Sequence, residues 1–503
     1  MSNGRIRLRT PWLDLQPHEA ISPATYGAGR ARHGGPPGGR RPPDRSRRRP
    51  ADGPGRPSRT GTPTWVSVVA FVASIAYLGA VVFAAGGNKE AFGAVVTAPI
   101  LLLIGWIIAR KLAAKDDNPE IVPVLMGAVC LKLLGSAVRW WVAATVYGTG
   151  DFYDYDKVGR AIATGLRHGH LIQPRGRLAG TNFIRLVTGF IYFATPSRMM
   201  SGFLIYGFLS LIGLIFFWRA YRVAVSKSYD VTYLKWIVLL PSLIYWPSAI
   251  GKDAFMVLAA GIAAYGSACI LSERLVAGIA ALSVGMTGML MVRPHFALAT
   301  CGGLALAFLV RRNRGGFMQS LVGLAFVVGL SFLVLKSASS FFNISSFNQS
   351  SIVKALSETS QQTGQGGSNF HPVVVHSPLQ FPLAAVTVLY RPFPFEAHSA
   401  QEMLTAIEGT VLFVLTLRAW RPIRKALRDM RQVPYFAYCL GALLLFFVAF
   451  SGFSNFGILA RERAVIQPLF LVFVSLPRHS GELGSLAPVP NPRGAKRRRL
   501  APP

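Results

Sequence analysis

The sequence predicts an all-α, polytopic helical membrane protein with about 12 transmembrane helices and two large outer loops. Three observations carry that expectation. Only 15% of the 503 residues are charged and 51% are hydrophobic, where soluble domains carry roughly 25% charged residues, and the mean hydropathy is +0.40. The apolar residues fall in runs of roughly 17 to 25 with almost no charge, the length at which a helix rising about 1.5 Å per residue crosses about 30 Å of hydrocarbon. The runs Leu321 to Leu335 and Tyr438 to Phe450 are apolar on nearly every face, whereas transmembrane strands would alternate apolar and polar residues.

Residues 1–60 are rich in Arg, Pro and Gly and have no apolar periodicity, so they read as a disordered basic tail that cannot bury enough surface to offset chain entropy. A multi-span membrane domain follows over 61–477, and a second basic tail over 478–503 ends in Lys496, Arg497, Arg498 and Arg499. With the N-terminus inside, spans fall near 65–85, 91–110 and 120–147, and Arg110, Lys111 and Lys115 lie in the inner turn between the second and third. The first outer loop is 148–199, within which Asn182 to Ala194 reads as re-entrant or interfacial. Further spans fit near 200–218, 232–250, 254–272, 275–292, 295–311 and 317–335. The second outer loop, 336–401, starts Ser/Asn/Gln/Gly-rich and turns apolar and aromatic toward Tyr390. Spans near 402–418, 433–453 and 458–476 complete the set, with Arg418, Arg421, Arg424, Lys425, Arg428 and Arg431 between the first two of them. This arrangement puts every strongly basic connection on one side and both termini in the cytoplasm of a cell-membrane protein. The net charge of +32 is therefore explained by tails and inner loops next to an anionic leaflet, and a nucleic-acid partner is not expected. The four cysteines all lie in apolar runs, which excludes a loop disulfide framework or a zinc motif.

The segment Gly150-Asp151-Phe152-Tyr153-Asp154-Tyr155-Asp156 places three carboxylates directly after the third span. Closely spaced carboxylates can raise one another's pKa until one serves as a general base, so Asp151, Asp154 and Asp156 are catalytic candidates. They can also hold a divalent cation, Mg or Mn, with Asp151 and Asp154 as ligands; no organic cofactor is expected. The plainer reading is a solvated loop in which Asp154 or Asp156 caps a short amphipathic helix over Lys157 to Leu166.

Here the chain resembles the GT-C superfamily of polytopic membrane glycosyltransferases, which use polyprenyl-phosphate sugars. Those enzymes carry an essential Asp in the first large outer loop just after a span, and Asp151, followed by Tyr153 and Tyr155, matches that position. The stretch Pro241-Ser242-Leu243-Ile244-Tyr245-Trp246-Pro247-Ser248-Ala249-Ile250-Gly251-Lys252-Asp253 is similar to the family's later outer turn, where an acidic residue follows a Pro-containing span. The likeness covers roughly 120–330 and departs in one respect, because two extra helices precede the Asp loop. It implies a polyprenyl-linked sugar donor, a glycan, lipid or protein acceptor, and transfer at the outer face.

Independently of that resemblance, the outer face collects cations that the positive-inside rule does not explain: Lys252, Arg293, Arg391, Arg461 and Arg463. Ionisable groups at the membrane are costly unless paired or facing a cavity, and the planar fork of Arg suits phosphate; mutual pairing, of Lys252 with Asp253 or of Glu462 with a neighbouring Arg, is the competing explanation. The outer histidines form no metal-ligand motif, and His376 and His398 flank the Arg391 segment. Two other readings compete with a transferase. An O-antigen-polymerase-like or ligase-like enzyme would depend on the late loop and Arg391, and a transporter or flippase of lipid-linked solutes would need a pathway at mid-membrane.

Overall fold

A computed structural model describes residues 89–311 and 349–477, apart from 226, 228, 365–367 and 376, together with 325, 328, 329, 331 and 332. The two tails, the expected span at 65–85, most of that at 317–335 and His376 lie outside the described residues. What is described is helical, with no strand and one isolated bridge between Asn369 and Asn455. By length and composition, six of the described helices can cross a membrane, and a bent pair, Trp420–Arg431 with Pro434–Phe450, makes a seventh.

The first crossing pair is α1 (Lys89–Asp116) and α2 (Ile121–Val142), the latter prolonged by a π-helical turn, Ala143–Tyr147. A loop-level pair follows, α3 (Asp151–Arg167) and α4 (Thr181–Ala194), and then α5 (Met199–Ala224) returns. Asp116 pairs with Arg219, and with Arg222 at 3.3 Å, so these helix ends share one end of the bundle. At the opposite end Glu90 meets Arg160 at 3.3 Å and accepts from the Met200 N–H at 2.9 Å.

The expected span at 232–250 is not one helix. It divides into α6 (Asp230–Leu239) and α7 (Pro241–Tyr245), with Leu240 extended at φ −67° and ψ 122°. The cause is Pro241, whose ring disfavours the α conformation in the preceding residue and which has no N–H to continue the ladder. Backbone groups freed by such a break must be satisfied where water is scarce. Buried Lys132 on α2 donates to the Leu243 carbonyl, and buried Glu408 accepts from the Ser242 N–H at 2.6 Å and from Gln467 Nε2 at 3.1 Å.

Three apolar helices then zigzag: α8 (Lys252–Leu271), α9 (Leu275–Val292) and α10 (Pro294–Val310). α8 crosses α5 backbone to backbone, since a Cβ added at Gly261 would lie 2.1 Å from the Gly213 carbonyl oxygen, the close approach that small residues permit between membrane helices. In the later part of the chain come α11 (Gln349–Thr363), α12 (Phe381–Tyr390), α13 (Ala400–Arg418), the short basic α14 (Trp420–Arg428), α15 (Pro434–Phe450) and α16 (Phe456–Val474). The second outer segment is therefore partly helical, through α11 and α12. α14 meets α15 at 111°, so if α15 crosses the bilayer α14 lies along its surface. The buried core is aromatic and small: Trp218, Tyr206, Tyr233, Phe203, Phe436 and many alanines are enclosed between α5, α6, α8, α15 and α16.

Candidate functional site

Four helix ends deliver charge to one place. Gly150 and Gly251 precede α3 and α8 with φ of 150° and 155°, values that L side chains rarely adopt and glycine tolerates. They let the chain turn sharply into helices whose first residues are Asp151 and Lys252-Asp253. Arg293 is held at the junction of α9 and α10 by Pro294, which begins the second helix. Arg461 and Glu462 lie in the second turn of α16, whose start is capped by Asn455 Oδ1 accepting from the Ile458 N–H at 3.1 Å.

These ends interlock through ion pairs. Arg293 reaches Asp253 with Nη1 at 2.9 Å and Glu462 with Nη2 at 2.6 Å, and Arg461 Nε lies 3.2 Å from the other oxygen of Asp253. Arg293 and Glu462 are buried. Lys252 lies within the field of Arg293, Arg461, Asp151 and Asp253. Tyr155, one turn along α3 from Asp151, joins the two sides. Burial, with the charges of Asp151 and Asp253 opposed by that of Arg293, pushes its phenol up to about 12.

The three sequence-selected aspartates have separate fates. Asp151 is exposed, with no ion-pair partner within 4.0 Å among the described residues. Asp154 is held by Arg185, whose Nε donates to Oδ2 at 2.7 Å. Asp156 is buried, accepting from the Tyr192 hydroxyl at 2.6 Å and pairing with Arg160 at 2.9 Å. Burial and the adjacent Asp156 carboxylate drive the Tyr192 phenol far above its ordinary value. Asp154 and Asp156 thus clamp α4 onto α3. The reading of either as a cap of a helix over 157–166 is corrected: the helix starts at Asp151 after Gly150, because the left-handed backbone at Gly150 supplies the turn one residue before the first carboxylate. α4, expected to be re-entrant or interfacial, packs its Ile184, Thr188 and Tyr192 face inward against α3 and α5.

The late-loop cations are occupied. Arg391 makes a fork with Glu396, Nε at 3.0 Å from both oxygens and Nη2 at 2.5 Å from one, and its guanidinium lies over Phe370 at 4.6 Å. Burial acts upward on the Glu396 carboxyl, yet the Arg391 bonds and charge and the Phe393 N–H hold it below the usual glutamate value. Arg463 is fully enclosed and donates Nη1 to the carbonyls of Leu389 at 2.8 Å and Arg391 at 3.0 Å, so it fixes the end of α12. Of the five cations, Arg293 and Arg461 share one ion-pair network with Asp253 and Lys252 lies beside it, whereas Arg391 and Arg463 have separate roles.

A cavity of about 240 Å³ lies against this network, lined by residues including Arg139, Tyr147, Trp246, Gln401, Glu402 and Arg461. Arg461 belongs to both. Sequence reasoning missed the rest of the lining. A signal existed for Arg139, a cation within the apolar run 120–147, because a charge inside a span marks a partner or a cavity. Gln401 and Glu402 carry no comparable signal, being ordinary residues at a helix start.

Chemically, the assembled groups offer one unpaired carboxylate at Asp151, a cationic wall for a developing anion and a polar-aromatic hollow beside it. Among the described residues no group of three or more His, Cys, Asp or Glu side chains is arranged to hold a metal ion, and the Asp151–Asp154 pair is divided by the engagement of Asp154 with Arg185. No family model matches the chain, and no curated protein or solved structure is similar to it.

Proposed function

We propose that this protein is a membrane glycosyltransferase that moves a sugar from a polyprenyl-phosphate-linked donor to an acceptor at the outer membrane face. One observation carries the reading: an unpaired carboxylate, Asp151, lies at the same bundle end as the Lys252, Arg293 and Arg461 cations, and their fields overlap. In the reaction the acceptor oxygen bonds to the anomeric carbon as the carbon–oxygen bond to the phosphate breaks. The acceptor proton passes to Asp151, and the charge appearing on the departing phosphate falls to Lys252 and Arg461, with Asp253 and Glu462 orienting the guanidinia. Membrane lipids surround the apolar helices, and the polyprenyl chain of the donor runs among them.

The polymerase-like or ligase-like reading depends first on Arg391, and that guanidinium is already balanced by Glu396, which favours the early-loop site. The test is transfer from a fluorescent polyprenyl-phosphate sugar by purified protein in liposomes. Asp151→Asn is expected to abolish transfer while leaving insertion and unfolding unchanged within about 0.5 kcal/mol, as for other exposed positions. Full turnover by Asp151→Asn together with an inactive Arg391→Ala would transfer the preference to the late loop.

A further inference from the structure

The cavity has a property that the transferase reading does not use. Its lining includes two guanidinia, Arg139 and Arg461, against one carboxylate, Glu402. Arg461 is shared with Asp253, and Glu402 accepts from the His398 N–H at 2.8 Å at the start of α13. Arg139 is different. It reaches the Tyr245 hydroxyl at 3.0 Å and lies over the rings of Tyr245 at 4.7 Å and Trp246 at 4.9 Å, with no carboxylate within 4.0 Å among the described residues. Neutral aromatic contacts orient a guanidinium without neutralising it. Two long helices, α13 and α16, also begin at this hollow, with Ser399, Gln401, Asn455 and Gly457 in its lining, so their positive ends add to the same field. Tyr147, in the same lining, is half exposed and bonds Gln401 through its hydroxyl. The volume, about 240 Å³, lies below the range of drug-sized pockets, roughly 300–1,000 Å³, and suits one sugar ring.

We infer that this cavity binds a single pyranose carrying a negative charge, with the ring beside the hydrogen-bonded Tyr147–Gln401 pair and the anionic substituent on Arg139. The shared chemistry is an anionic sugar, whether the charge is a carboxylate on the ring or a phosphate attached to it. For the role of that sugar as a transfer substrate the inference rests on the proposed function; for binding it stands alone.

Equilibrium binding to detergent-purified full-length protein, followed by saturation-transfer NMR titration, tests it with three probes: glucose, glucuronate and glucose 1-phosphate. At least one anionic probe is expected to bind about tenfold or more tighter than glucose, the factor a charge-assisted pair supplies. Preference for glucuronate identifies a ring carboxylate, and preference for glucose 1-phosphate a phosphate. Arg139→Gln should erase the preference and Arg139→Lys retain most of it. Should Arg139→Gln fail to fold, Gln401→Glu, a change at a partly exposed position, adds a second carboxylate to the lining and should weaken the anion by a similar factor. Equal binding of glucose and both anions, no binding of any probe, or an anion preference unchanged in Arg139→Gln and Gln401→Glu overturns the inference. Turnover by Asp151→Asn bears on the transferase reading alone, so the two can fail separately.

Discussion

Replacing Arg293 by Gln removes the cation that joins three helices, and the structure sets the size of the effect. The guanidinium is 8% exposed and makes contacts of 2.9 Å with Asp253 and 2.6 Å with Glu462. Hydrogen bonds to charged groups contribute about 1.5–3 kcal/mol each, so two amount to roughly 3–6 kcal/mol, and removing one partner of a buried pair costs about 3–5 kcal/mol. Asp253 keeps Arg461 at 3.2 Å, whereas Glu462 loses its only ion-pair partner within 4.0 Å among the described residues. The expected cost is therefore near the lower figure, about 3 kcal/mol, or about a hundredfold in the folded-to-unfolded ratio. Reversible denaturation in mixed detergent, followed by circular dichroism, reads this directly. The reasoning further requires that Arg293→Gln combined with Glu462→Gln recover about half of the loss, because the second change removes the stranded carboxylate. A single variant costing less than about 1 kcal/mol, typical of solvated surface pairs, would refute the network, as would a double variant showing no coupling.

Three other expectations follow from separate parts of the molecule. The Glu396 carboxyl is held below its ordinary value of 4.5 by Arg391; its contribution to stability is present above that value and is lost as pH falls through the lower folded-state pKa. Thermal scans between pH 6 and pH 3 should then show a smaller acid loss in Glu396→Gln than in the parent, and parallel curves would contradict the pairing. On α14, Arg421, Arg424 and Arg428 form one exposed stripe beside exposed Trp420, with no ion pair within 4.0 Å among the described residues. Replacing all three by Gln should reduce stabilisation by anionic over zwitterionic lipid, since each surface cation contributes about 1 kcal/mol near an anionic bilayer; an unchanged difference in unfolding temperature between the two lipids would reject it. Finally, a cysteine introduced at exposed Gln362 on α11 should react with an impermeant thiol reagent from outside intact cells, and reaction only after permeabilisation would invert the topology.

The amino-acid sequence alone was enough to expect a helical chain with several helices apolar enough to cross a membrane, because long uncharged runs admit few other folds and each backbone group must bond within its own helix where water is absent. It also picked out the charges worth watching, since Asp151, Lys252, Arg293 and Arg461 interrupt or bound apolar runs and such charges are costly without a purpose. Local chemistry made some boundaries readable, such as the start of α10 at Pro294, and others visible only in retrospect, such as the break before Pro241 inside an otherwise apolar stretch. Pairing was beyond its reach. Asp151, Asp154 and Asp156 are equivalent as letters, yet a helix turns about 100° per residue, so they leave α3 in different directions and meet different neighbours: none within ion-pair range, Arg185, and Tyr192 with Arg160. Arg391 and Arg463 looked alike in the same way, yet Arg391 forks with Glu396 in its own loop, and only the packing of α12 against α16 assigned Arg463 to backbone carbonyls. The cavity draws Arg139, Gln401 and Arg461 from positions 60 to 322 residues apart in the chain; no local pattern encodes such a meeting, because it is created by how helix ends converge when their apolar sides pack.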